Sequence, residues 1–251
     1  MTYAFDFSGF GEYTGMLVQG AGVTIALTAV STVLGSLVGI AGAAVGRSGP
    51  RWARALVSTY VELIRNTPFL VQLFFVFFGL PGVGVHISET EAAILAMTVN
   101  LGAYATEIIR AGVDAVSRGQ LQAANALGLL PRQVFRHVIL PQALANVFPA
   151  LVGQVLIVML GSAVVSQISV PDLTYAASYI ESRNFRSFET CLIITVAYLV
   201  LAIVMRQLLG LLGRRLFAGR LPAGGAGPRR TGWLRLARGN ARAAVTMEPP
   251  R

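Results

Sequence analysis

Lysine is absent from this chain of 251 residues, so all 20 of its basic residues are arginines. A phosphate loop of the form GxxxxGK[ST] therefore cannot be built here, because the ammonium that reaches the outer phosphates is missing. Any ATP hydrolysis linked to this protein resides in another chain. The single cysteine, Cys191, excludes an intrachain disulfide and lies in an apolar run, where it packs as a small hydrophobe. Charge is scarce as well: 12% of residues are charged, and only 11 of them are acidic. What remains is apolar, at 55% of residues and a mean hydropathy of +0.66. These residues are concentrated in long blocks rather than spread at core-forming spacing, which makes the bilayer the expected solvent and the fold class an all-α integral membrane protein.

A spanning helix needs about 20 mainly apolar residues. Five stretches qualify, at about 20–45, 56–80, 90–112, 147–170 and 190–212, with a polar loop at 113–146. The third contains Glu107, because its uncharged part is too short to cross alone. Five spans put the termini on opposite sides. Arg47, Arg51 and Arg54 fall in the first loop, Arg118, Arg132 and Arg136 in the third, and Arg214, Arg215 and Arg220 after the last span. The positive-inside rule then predicts an outside N-terminus and a cytoplasmic C-terminus. The net charge of +9 is thereby mostly topology, which argues against nucleic-acid binding.

Residues 1–19 are expected to form an extracytoplasmic segment, and the first apolar run a retained span rather than a cleaved signal, since it is long and followed by arginine. Residues 20–217 form the expected membrane domain. Residues 218–251, rich in Gly, Pro, Ala and Arg, read as a disordered basic cytoplasmic tail that brushes anionic lipid.

The third loop contains "QAANALGLLPRQVFRHVILPQAL". Ser117 and Gln120 have capping-box spacing, Gly128 suits a helix C′ position, and Pro131 suits the first turn of a second helix. Two short surface helices follow from this pattern. The first would present a small-residue face of Ala123 and Ala124, and Pro141 would end or kink the second. The pattern alone also allows a membrane-surface loop with no partner.

These residues resemble the EAA loop of permease subunits of ATP-binding-cassette importers, through Ala123, Ala124, Gly128, Val138, Leu140 and Pro141 at the full spacing, with Gln122 in place of the usual Glu. "VELIRNTPFLVQLFFVFFGLP" and "AYATEIIRAG" are similar to permeases of the polar amino acid family, and the likeness covers roughly residues 15–217. The resemblance implies a type I importer permease fold in a bacterial inner membrane and a role in uptake of a polar amino acid. It also implies the partners: two ATPase subunits carrying ATP and Mg, a second identical or homologous permease, and an extracytoplasmic substrate-binding protein. Under it, Gln122 to Pro141 would couple the path to the ATPase. ABC import of an ectoine-like compatible solute and gradient-driven secondary transport are the alternative functions.

Ionisable groups inside spans are candidate functional residues. Asn100, Tyr104 and Glu107 fall on one helical face, as candidates for a substrate path. Arg110 could instead hold Glu107 in a local ion pair. Ser162 and Ser166 are further path candidates or packing groups. Glu62 and Arg65, three apart, could pair locally or close the cytoplasmic end of the path. Gly35 and Gly39 form a GxxxG that points to close helix packing. His86 and His137 fall in different loops, so no shared metal site is expected, and no nucleophile or metal-ligand spacing suggests an enzyme.

Overall fold

The computed structural model describes residues 5–216, which are almost wholly helical. The tail expected at 218–251 lies outside the described residues. A short 3-10 turn at Phe10–Tyr13 leads into α1, Thr14–Ser48, which starts six residues before the expected first span. At 35 residues it is about 52 Å long, well beyond a ~30 Å hydrocarbon core.

The expected second span is broken. It consists of α2, Arg51–Arg65, and α3, Phe69–Gly82, bent by 109° at the Asn66-Thr67-Pro68 break. Proline disfavours helical geometry in the residue before it, which ends α2. Side chains bond the last carbonyls of α2: Asn66 Nδ2 donates to Glu62 O at 2.7 Å beside the Asn66 backbone N–H, Thr67 Oγ1 to Leu63 O at 2.8 Å, and Gln72 Nε2 to Ile64 O at 2.7 Å. Broken backbone at membrane depth persists only where such groups are satisfied internally. Gln72→Leu is therefore expected to leave acceptors unpaired at a cost of about 1–3 kcal/mol. A thermal melt of the detergent-solubilised protein would show the loss, and an unchanged melting temperature would contradict this account of the break.

α4, Glu89–Asp114, opens with a full capping box between Ser88 and Glu91 and packs along α1. Glycines decide how closely. A Cβ on Gly35 would lie 2.9 Å from Leu101 Cβ, on Gly39 2.4 Å from Ala105 Cβ, and on Gly42 2.4 Å from Thr106 Oγ1. The predicted GxxxG is thus an intramolecular seam. The partner numbers rise together, so α1 and α4 run parallel, and the chain between them must return across the bundle. The bent α2–α3 pair makes that return. Among the described residues four helices are long and apolar enough to cross a membrane, and the bent pair counted as one span brings the total to five.

The connection to the fourth crossing departs from expectation. α5, Arg118–Ala126, forms as predicted, with the Ser117 hydroxyl accepting from Gln120 N and Gly128 at φ 72°. The second short helix, α6, Pro131–Val134, does not end at Pro141. It continues through a π turn, Phe135–Ile139, into α7, Leu140–Gly161, the wider turn immediately ahead of Pro141 accommodating the proline within the helix. The fourth crossing therefore begins near Pro131 rather than at 147, and ends in 3-10 turns at Ser162–Ile168.

α8, Leu173–Asn184, lies in what the sequence suggested was a loop, and α9, Ser187–Leu216, makes the last crossing. Asp172 caps α8, its Oδ1 accepting from Tyr175 N at 2.8 Å and its Oδ2 from Tyr198 of α9 at 3.2 Å. The residue is fully buried, and its carbonyl crowds Gly20 of α1. Burial outweighs the hydrogen bonds and pushes the carboxyl up to about 6 from 3.8. A raised pKa makes the folded state hold its proton more tightly than the unfolded chain. The stability so gained is complete below about 3.8 and is lost as pH rises through about 6. The melting temperature is expected to rise as pH falls from 7 to 5, and Asp172→Asn to flatten that dependence.

Candidate functional site

The side of α2 that faces α4 carries Arg54, Ser58, Glu62 and Arg65 at helical spacing, while Val61 and Ile64 are buried. Tyr60 fixes the contact by donating its hydroxyl to Val99 O at 2.6 Å. Between this face and the second half of α4 lies a cavity of about 550 Å³, within the range of small-molecule sites. Glu62, Arg65, Asn66, Tyr104, Glu107 and Arg110 line it, with Arg54 farther along α2.

Three of its charges are linked. Glu107 bridges two guanidiniums, with Oε1 2.8 Å from Arg110 Nη2 and Oε2 4.0 Å from Arg65 Nη1. Arg65 also sits 5.6 Å from the centre of the Tyr104 ring, in cation–π range. Of the two readings of Glu62 and Arg65, the local pair does not form: Arg65 turns toward α4, and Glu62 accepts from Ser58 at 3.5 Å. The cavity thus offers both charge signs and an aromatic face.

Of the other path candidates, Asn100 shares the face of Tyr104 but lines a separate cavity of about 80 Å³ on the far side of the break. Its Nδ2 donates to Gln72 Oε1 at 2.9 Å, which ties the break to α4. Ser162 is fully buried and donates to Met159 O at 2.7 Å, and Ser166 donates to Ala163 O at 2.8 Å. Both serve their own helix, and neither lines the larger cavity. Arg54 and Asn66 are lining residues that sequence reasoning passed over. The period of polar residues at 54, 58, 62 and 65 carried the signal.

The α5 loop forms a second surface at the arginine-rich end of the bundle. Ala124 is buried against Val116, Val134, Ile139 and Ala143, so the expected exposed face of Ala123 and Ala124 is split, with only Ala123 outward. Val138 packs on the same cluster, whereas Leu140 is partly exposed at the start of α7 beside Pro141. Gln122, Ala123 and Gly128 are exposed, together with Leu127 at 79% and Leu130 at 65%, which the sequence reading did not single out. Two bare leucines beside a left-handed glycine form an apolar knob held by a small core. Among the described residues no three metal-ligating side chains converge.

A five-crossing helical bundle with a broken second crossing, a charged cavity beside the break and a protruding loop defines a polytopic membrane permease. Residues 31–218 match the family described as binding-protein-dependent transport system inner membrane component, and the chain belongs to it. It is 32% identical over 190 residues to the putative glutamine transport system permease protein GlnP of Rickettsia conorii, covering 75% of this chain and 87% of that protein. It is also 32% identical over 201 residues to the arginine transport system permease protein ArtQ of Bacillus subtilis, covering 80% and 92%. Among solved structures, an amino acid ABC transporter crystallised with histidines matches with a TM-score of 0.80 and 38% identity, over 85% of this chain and all of that one. The MetNI methionine ABC transporter, in inward-facing form, matches with a TM-score of 0.63.

Proposed function

We propose that this chain forms the membrane path of an ABC importer for a polar amino acid in a bacterial inner membrane. ATP and Mg bound by two partner ATPase subunits would drive it, with a second permease completing the path and an extracytoplasmic binding protein delivering substrate. The cavity beside the helix break carries this reading: Glu107 and Glu62 can meet an ammonium, Arg65 and Arg110 a carboxylate, and Tyr104 the side chain. The amino acid named for the relatives supports the substrate class. The arginine-rich end is cytoplasmic in this orientation, so the cavity lies in the cytoplasmic half of the path.

The α5 loop is the coupling element. Nucleotide-driven closure of the ATPase pair, acting on the knob of Leu127, Gly128 and Leu130, would be carried into the bundle because α6 runs through the π turn into α7 without interruption. ATP then shifts the population between two arrangements of the bundle. Gly128 has open space beside its Cα but a φ of 72°. Gly128→Val is expected to strain the turn by about 1–2 kcal/mol and to reduce co-purification of the ATPase, whereas Gly128→Asn, which tolerates that conformation, retains it. Equal recovery from all three would remove the loop from coupling.

The deciding experiment is uptake by proteoliposomes containing the chain with its ATPase and binding protein. ATP-dependent accumulation of labelled glutamine or arginine is expected. Accumulation of an ectoine-like solute alone would move the substrate class, and uptake driven by an ion gradient without ATP would overturn the proposal.

A further inference from the structure

A second large cleft, of about 450 Å³, opens on the outside of the bundle between α1, α4 and α7. Its walls are apolar, formed by residues such as Ile40, Ala44, Val113, Leu144, Val147 and Leu151, while its mouth carries Arg47, Arg110 and Asp114. The cleft shares Ala43, Gly46 and Arg110 with the charged cavity but faces away from α2. Arg47 and Asp114 meet across it at 3.3 Å, and both are more than half exposed.

The geometry points to a phospholipid site: one acyl chain between the three helices, its phosphate against Arg47, and an amino headgroup at Asp114. Three observations carry this. From Ser36 to Arg47, α1 rises about 16 Å, close to one leaflet's half of a ~30 Å hydrocarbon core, so the cleft reaches from headgroup depth to the midplane. Its charged residues all lie at the arginine-rich end, where a headgroup would sit, and the deeper walls are apolar. The Arg47 guanidinium and the Asp114 carboxylate complement a phosphate and an ammonium, the pair that a phosphatidylethanolamine presents. A chain seated there would also touch Phe135 in the π turn and Leu140 at the start of α7, bracing the junction between loop and crossing.

The test is native mass spectrometry of the full-length protein, stripped of lipid in detergent and then incubated with phosphatidylethanolamine or phosphatidylglycerol bearing the same acyl chains. Ala44→Phe fills the cleft from an exposed position, and Val33→Phe places the same ring on an exposed part of α1 outside it. One phosphatidylethanolamine per chain is expected on the parent and on Val33→Phe, with at least tenfold less on Ala44→Phe. Arg47→Gln should weaken both lipids, and Asp114→Asn should erase the preference for the amino headgroup. Equal lipid retention by Ala44→Phe and the parent would overturn the site, as would a change in chain–chain association with lipid unchanged, which would make the cleft the seat of a second copy. Tighter binding of phosphatidylglycerol by the parent would overturn the headgroup assignment. None of these readouts depends on transport, so the site can fail while the importer stands, or the reverse.

Discussion

Gly39→Leu should prevent α1 and α4 from closing and leave a protein that is extracted from the membrane only in an unstable form. A Cβ at this position would already meet Ala105 Cβ at 2.4 Å, the Ala105 carbonyl carbon at 3.0 Å and Thr106 N at 3.1 Å. Two of these three atoms are backbone, which cannot rotate away, so the helices must separate. Overpacking of this kind costs about 1–3 kcal/mol where side chains can adjust, and more where they cannot. The seam matters because helices in lipid gain no hydrophobic drive toward one another and associate through close packing of small residues. Gly22→Leu on the same helix is the control, since nothing lies within 4 Å of a Cβ there. Thermal melts and size-exclusion profiles of the two variants should diverge sharply. If Gly39→Leu matched Gly22→Leu, the parallel α1–α4 seam would be wrong.

Glu107→Gln should lower substrate transport about tenfold, mainly through KM. The carboxylate stands between Arg110 at 2.8 Å and Arg65 at 4.0 Å. Removing its charge leaves two guanidiniums facing one cavity without their shared partner, and removes an acceptor for a substrate ammonium. Hydrogen bonds to charged groups contribute about 1.5–3 kcal/mol, and 1.4 kcal/mol corresponds to a factor of ten. The double variant with Arg65→Gln restores charge balance and should recover part of the loss. Additive losses in the double variant would separate the two residues and show that Arg65 and Glu107 do not act as one unit. Asn100, behind the break, is expected to affect stability of the α3–α4 contact more than KM.

The difference between Glu107 and Glu62 illustrates how far local spacing reaches. Both have an arginine three residues on, the spacing of a helical ion pair. Glu107 forms its pair with Arg110, whereas Glu62 does not pair with Arg65. α4 continues through both of its residues, while α2 stops at Arg65, whose side chain turns across to α4. Arg65 is still within α2, so spacing permits the local pair, but at the end of its helix the guanidinium takes a partner on the next one. The fourth crossing also departs from the local reading: Pro141 looks like a terminator in the sequence, yet a π turn immediately ahead of it carries the helix on.

Class, number of crossings, arginine asymmetry and the α5 loop with its Ser117 cap and Gly128 turn were all determined by sequence alone. They rest on local quantities: apolar run length, charge placement, and the few residues that can cap a helix or adopt positive φ. Tertiary structure alone decided where α2 breaks away from α3, that α8 packs beside the start of α1, and which polar residues share a cavity. It also split Ala123 from Ala124 and set Ser162 and Ser166 apart from Glu107. These outcomes depend on which helix faces which, and in a bilayer that is settled by how closely small residues let two backbones approach, a property of pairs of helices rather than of any one stretch of chain.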